Sequence, residues 1–116
     1  MRHKKKGVKL GRERGQRIAL LRSLAESLIL HDSIVTTTAK AKALRVVIEP
    51  LVTKAKKNRS IDRELIMSSL YTGKAVKRLI EEIAPRYTER TGGYTRIIKL
   101  GYRKNDSADT AKIEFV

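Results

Sequence analysis

A chain of 116 residues with 41% hydrophobic content is the size of one domain, long enough to bury roughly two-thirds of the surface exposed by its unfolded form. Its 27 basic residues against 12 acidic ones give a net charge of +15, which asks for an anionic partner, while the lack of cysteine excludes a disulfide scaffold and thiolate-bound zinc. A membrane anchor is not expected either, because the apolar stretch Ile18–Leu30 is broken by Arg22, Ser23, Glu26 and Ser27.

The first seventeen residues, MRHKKKGVKLGRERGQR, hold eight Arg or Lys against one acid, Glu13, and almost nothing that could enter a core. Such a segment cannot bury enough apolar surface to offset the entropy of ordering itself. Its natural complement is a phosphate backbone, and Gly7, Gly11 and Gly15 would let the chain follow a groove closely.

Past this arm, Ile18, Leu21, Leu24, Ala25 and Leu28 recur at steps of three and four, predicting an amphipathic helix from about Gln16 to Leu30. His31-Asp32-Ser33 breaks it, and the β-branched run Ile34-Val35-Thr36-Thr37 predicts a short strand. A threonine then caps a second helix, about Thr38 to Lys57, whose buried stripe is Ala41, Leu44, Ile48, Leu51 and Ala55. Pro50 lies within that stripe, where a proline costs about 3 kcal/mol in a regular helix. The apolar spacing continues in register beyond it, which favours one kinked helix over two pieces.

Ser60 is the expected cap of a short helix, Ile61 to Leu70, with Asp62 and Glu64 well placed in its first turn. After Tyr71-Thr72-Gly73 a further helix, Lys74 to Ile83, buries Val76, Leu79, Ile80 and Ile83, and Pro85 is expected to end it. Two strands close the chain, Tyr94–Leu100 and Thr110–Val116, joined by the polar loop Gly101–Asp109. The order is helix, strand, three helices, two strands. That order predicts a two-layered α+β domain: a small three-stranded mixed sheet with helices on one face. Residues 1–15 form a basic extension to the globular domain 16–116.

Four of the five aromatic residues are Tyr71, Tyr87, Tyr94 and Tyr102, and three of these lie close to Arg86, Arg96 and Arg103. Tyrosine beside arginine suits stacking on unpaired bases, as in RNA readers, although closing the rim of a small core accounts for each ring equally well. Residues 61–83 allow a rival reading as a helix-turn-helix bound to DNA. Lys74, Lys77 and Arg78 there are phosphate-type residues, however, and no Asn or Gln is present to read adenine edges. An enzyme is not expected. His3 and His31 form no metal-binding spacing, Glu81 and Glu82 are adjacent and diverge on a helix, and Gly73-Lys74 lacks the rest of a phosphate loop. No cofactor, metal or small-molecule substrate is expected.

Met1-Arg2-His3 with Lys9-Leu10-Gly11-Arg12 resembles the opening of the bacterial large-subunit ribosomal protein seventeen family. The resemblance continues through Ala19-Leu20-Leu21-Arg22, Thr36-Thr37, Lys40-Ala41-Lys42 and Leu44-Arg45. Ala84-Pro85-Arg86-Tyr87, Gly92-Gly93-Tyr94-Thr95-Arg96-Ile97 and Lys99-Leu100-Gly101 complete it, so that it spans essentially the whole chain. It implies a cytoplasmic, structural constituent of the large ribosomal subunit that binds 23S rRNA near the peptide tunnel exit, beside neighbouring ribosomal proteins. On that basis the first expected RNA contacts are Arg2, His3, Lys4, Lys5, Lys6, Lys9, Arg12, Arg14, Arg17 and Arg22. Lys40, Lys42, Arg96, Lys99 and Arg103 follow, on helix and strand surfaces.

Overall fold

The computed structural model describes residues 13–116. Helix α1 covers Arg14–His31, strand β1 Ser33–Thr37, helix α2 Thr38–Lys57 and helix α3 Ser60–Ser69. Helix α4, Gly73–Arg78, continues into π-helical and 3-10 turns, and strands β2, Thr95–Tyr102, and β3, Asp109–Phe115, finish the fold. The expected α+β order of elements is therefore present.

Helix α1 stops because Asp32 adopts a left-handed conformation (φ 67°), its N–H donating to the Leu28 carbonyl at 2.8 Å. Aspartate is among the few residues that enter this region readily. The chain then runs straight into β1, and Thr37 ends the strand and caps the next helix, its Oγ1 accepting the Lys40 N–H at 3.3 Å. Helix α2 is a single piece running through Pro50, which lies on its exposed side. Water can therefore reach the carbonyl that the proline leaves without a donor. The opposite side carries the whole expected stripe, with Ala43 and Val52 added, into the core. Lys54, Lys56 and Lys57 in the last turn complement the negative end of the helix dipole.

Two local expectations need correction. Helix α3 begins at Ser60 itself, so its N-cap position is Arg59, not the serine, and Asp62 is the third residue of the helix. The nearly inaccessible Asp62 carboxylate reaches back to the Arg59 N–H at 3.2 Å and is bound by the Arg59 guanidinium at 2.7 and 3.2 Å. Those bonds hold the Asp62 carboxyl below its usual range even though burial acts in the other direction. Nor does Pro85 terminate a regular helix. The α-helical part of α4 ends earlier, at Arg78, and Leu79–Ile83 forms a π-type turn in which the Ala84 N–H reaches the Leu79 carbonyl. Pro85 then sits in the first turn of the 3-10 segment Ala84–Tyr87, where its missing N–H has no partner to lose. Through these changes of pitch Leu79, Ile83, Ala84 and Tyr87 all remain buried.

The sheet order is β1-β3-β2, so the last strand lies between the other two. Both neighbours pair with it antiparallel. The expected mixed sheet is thus a wholly antiparallel one: β1 and β2 run the same way but never touch. Ile34, Ile113 and Ile97 form one cross-strand row towards the helices, with Phe115 beside Thr95 on the next. The other side of the sheet carries Lys112 between the exposed Val35 and Ile98. Between Lys99 and Gly101 the register slips by one residue, and Gly101 takes a φ of 102° that a side chain would resist.

The core joins α1, α2, α3, α4 with the turns that continue it, and the inner side of the sheet, with Leu28, Ile29, Leu44, Ile48, Ile66, Leu79, Ile83 and Ile113 fully enclosed. Tyr87 and Tyr94 close its rim, their ring centroids 5.2 Å apart. The Tyr87 hydroxyl donates to the Val116 carbonyl at 2.8 Å. The first two turns of α1 extend past this core: Ile18 is 43% exposed and Leu21 half-buried, although both fall on the apolar stripe.

Candidate nucleic-acid interface

Residues 1–12 hold six of the basic side chains and no acid, so residues 13–116 keep 21 basic against 12 acidic ones. The described part is itself strongly cationic. Arg2, His3, Lys4, Lys5, Lys6, Lys9 and Arg12, expected as RNA contacts, lie outside the described residues. The remaining eight expected contacts fall into three groups.

Arg14 and Arg17 lie on the first turns of α1, which project beyond the core, and Arg22 follows on the next turn beside Tyr71. Lys40, Lys42, Lys99 and Arg103 gather at one end of the sheet. Thr37 and Gly101 there both pair with Thr110, Lys40 and Lys42 sit in the helical turns directly after Thr37, and Lys99 and Arg103 flank Gly101. Two strand spacings, about 10 Å, separate the outer strands at that level. Arg96 stands apart, near the opposite end of the sheet, on the rung of Glu114 and Ser33.

The groups differ in how freely their charge can be offered. Arg96 pairs with Glu114 at 3.3 Å, and Lys112 reaches the same carboxylate at 3.4 Å. Arg103 is held in the hairpin loop by Asp106, at 3.1 and 2.8 Å. The Ala108 N–H and Arg103 together keep the Asp106 carboxyl below its usual range. A phosphate would have to share these two arginines with a carboxylate.

Another cluster fixes how α1 meets α4. The Asp32 carboxylate binds Arg86 at 3.1 and 3.4 Å and Arg78 at 3.1 Å, and Arg78 also reaches Glu82 at 3.0 Å and the Ile29 carbonyl at 2.5 Å. Burial works to raise the Asp32 carboxyl, but the bonds and charge of Arg86, backed by Arg78, outweigh it and leave the group below its ordinary value. Arg78, a phosphate-type residue in the sequence, is in fact absorbed by the fold.

The structure also sorts the tyrosines. Tyr87 and Tyr94, both beside arginines in sequence, are core residues only 3% and 1% exposed. Tyr71 and Tyr102 are exposed. The ring with an arginine on its face is Tyr71, under the Arg22 guanidinium at 5.1 Å. These two residues are 49 positions apart, and nothing in the local sequence links them. Beyond Tyr71, an open cavity of about 580 Å³ is lined by His31, Lys74, Lys77 and Arg78 together with Leu30, Glu81 and Glu82. The three-residue spacing of Lys74 and Lys77 on one helix face is the signal that could have flagged it. As a DNA-recognition unit, residues 61–83 fit poorly, because α4 is α-helical for only six residues. Among the described residues no helix is long and apolar enough to cross a membrane.

A cationic α+β domain with these sequence blocks falls in the class of ribosomal proteins, not of enzymes. More narrowly, the family described as Ribosomal protein L17 matches residues 20–116, and the chain belongs to that family. It is similar to the large ribosomal subunit protein bL17 of Salinibacter ruber (strain DSM 13855 / M31), being 48% identical over 116 residues. The alignment covers 100% of this chain and 59% of the relative, so the chain spans rather more than half the length of the protein it matches.

Proposed function

We propose that this chain is a structural constituent of the large ribosomal subunit in the cytoplasm, binding 23S rRNA near the peptide tunnel exit and touching neighbouring ribosomal proteins. The observation that carries this reading is the 48% identity, over the whole chain, to a protein named as part of the large subunit. The charge of +15 supports it, because a chain so cationic gains compactness when an anion neutralises it.

In this reading residues 1–15 are the RNA-binding extension and 16–116 the domain that positions it. The extension neutralises phosphates at junctions between RNA helices. Arg17 and Arg22 add charge on α1, while Lys40, Lys42, Lys99 and Arg103 form a second foothold at the end of the sheet. Arg96 contributes from the outer side.

Sucrose-gradient sedimentation of a tagged chain tests the proposal. The chain is expected in the large-subunit fraction, leaving it only at high salt, and chemical probing of that fraction should show protected 23S rRNA. A chain that remains at the top of the gradient, or that protects a duplex DNA site instead, overturns it.

A further inference from the structure

Helices α1 and α4 lie side by side and run in the same direction, and their contacts follow one another in step. Arg22 covers the Tyr71 ring, the Glu26 carboxylate accepts the Thr72 N–H at 2.5 Å, and the Ile29 carbonyl accepts from Arg78. Leu30 and His31 then line the open cavity together with Lys74, Lys77 and Glu81. At 1.5 Å per residue, Arg22 and His31 stand about 14 Å apart along α1. That distance separates the ring beside Arg22 from the His31 side of the open cavity, a path short enough for a short extended strand to follow.

Its chemistry changes along its length. At one end is an aromatic ring, 53% exposed, with a cation on its face. The one other cation–ring contact among the described residues, Lys56 with Tyr94, belongs to a buried tyrosine. Lys74 and Lys77 follow one helical turn apart, with no carboxylate bound to either among the described residues. Glu81 and Glu82 close the far end and would repel any further phosphate.

We propose that Tyr71, Arg22, Lys74 and Lys77 form a binding site for an unpaired nucleotide of RNA. This deepens the RNA-binding reading above and rests on it. The base stacks on the ring, which Arg22 holds in place, and the adjoining phosphates meet the two lysines. A paired strand does not fit, because its bases are stacked inside the duplex and cannot lie on the ring. An acidic peptide would satisfy the lysines but leave the ring without a partner.

The test uses the full chain with octauridylate as the unpaired probe and a blunt RNA duplex of equal length as the control. The Tyr71 ring resonances, assigned by comparison with Tyr71→Phe, are expected to move upfield on adding octauridylate, while those of Tyr102 stay in place. Tyr71→Ala should weaken octauridylate binding about 5- to 100-fold and leave duplex binding unchanged, with Tyr71→Phe close to the parent. Lys74→Gln with Lys77→Gln should lower the salt slope by about one to two.

Tight octauridylate binding with an unmoved Tyr71 ring overturns the site while leaving the RNA-binding reading intact. Equal losses on single strand and duplex in Tyr71→Ala also overturn it. So does competition by oligoglutamate as effective as that by octauridylate, which would point to a protein ligand. A chain that binds neither RNA removes the broader reading together with the site.

Discussion

The Glu49 carboxylate, midway along α2, accepts both the backbone N–H of Thr95 at 3.0 Å and the Thr95 hydroxyl at 2.8 Å, across 46 positions of sequence. It also accepts the Tyr94 N–H at 3.3 Å. Tyr94 and Thr95 are buried at the start of β2, where the chain arrives from the Gly92-Gly93 turn with two N–H groups in need of acceptors. One side chain supplies them, and so docks the first rung of the strand onto the central helix. Glu49→Ala leaves those donors without a partner and should cost about 1–3 kcal/mol. Glu49→Gln keeps one acceptor and should cost less. Urea unfolding checks the order, with the parent most stable, then the glutamine variant, then the alanine variant. Equal stability of all three would show that water replaces the carboxylate freely.

The joint between α1 and β1 makes a prediction about acid. Asp32 is held below its usual value near 3.8, so its contribution is fully present above that pH and disappears as the pH falls through the lower, folded value. Asparagine also tolerates the left-handed backbone there, so Asp32→Asn removes the charge without straining the turn. Because Asp32 and Arg86 are partly open to solvent, the variant should lose no more than about 1 kcal/mol at pH 7. That gap should close as the pH drops below about 4. A gap that stays constant down to pH 3 would assign the loss to packing instead of charge.

Much of this was legible in the residues because it is local. The stripe of α2 and its flanking threonine define Thr38–Lys57 without help from tertiary structure, and alternation in the last strand places Ala111, Ile113 and Phe115 inwards. What escaped depends on distant parts of the chain. Periodicity shows which side of α1 is apolar but not how far the core beneath it extends, hence the exposure of Ile18. Strand order is likewise non-local, and a last strand inserted between the other two turns an expected mixed sheet antiparallel. The interface was legible as charge, not as geometry. Arginines lie near Tyr87 and Tyr94 in sequence, whereas tertiary packing gives the partnered, exposed ring to Tyr71.

Pro50 offers a third test. It lies on the exposed side of an unbroken helix, where no buried neighbour depends on its ring. Pro50→Ala restores an N–H to the helix and relieves the clash with the preceding turn, against a smaller loss from a freer unfolded chain. The net effect should be a gain of about 1–2 kcal/mol, read from the thermal or urea midpoint. A loss of stability would mean that the proline itself is needed to fit α2 to the sheet.

The last prediction separates the extension from the domain. Helix α1 starts at Arg14, so a chain lacking residues 1–12 keeps every described element intact. It loses six basic side chains from a region without a single acid. If each of these meets one phosphate, the slope of log affinity against log salt should shrink in magnitude by roughly 4–5, and binding at moderate salt should collapse. The unfolding midpoint of the shortened chain should stay close to that of the full chain, because every core residue among 13–116 is retained. Filter binding to 23S rRNA across a salt series gives the slope directly. An unchanged slope would place the phosphate contacts on the folded surface alone, with Arg14, Arg17, Lys40, Lys42 and Lys99 as the next residues to neutralise.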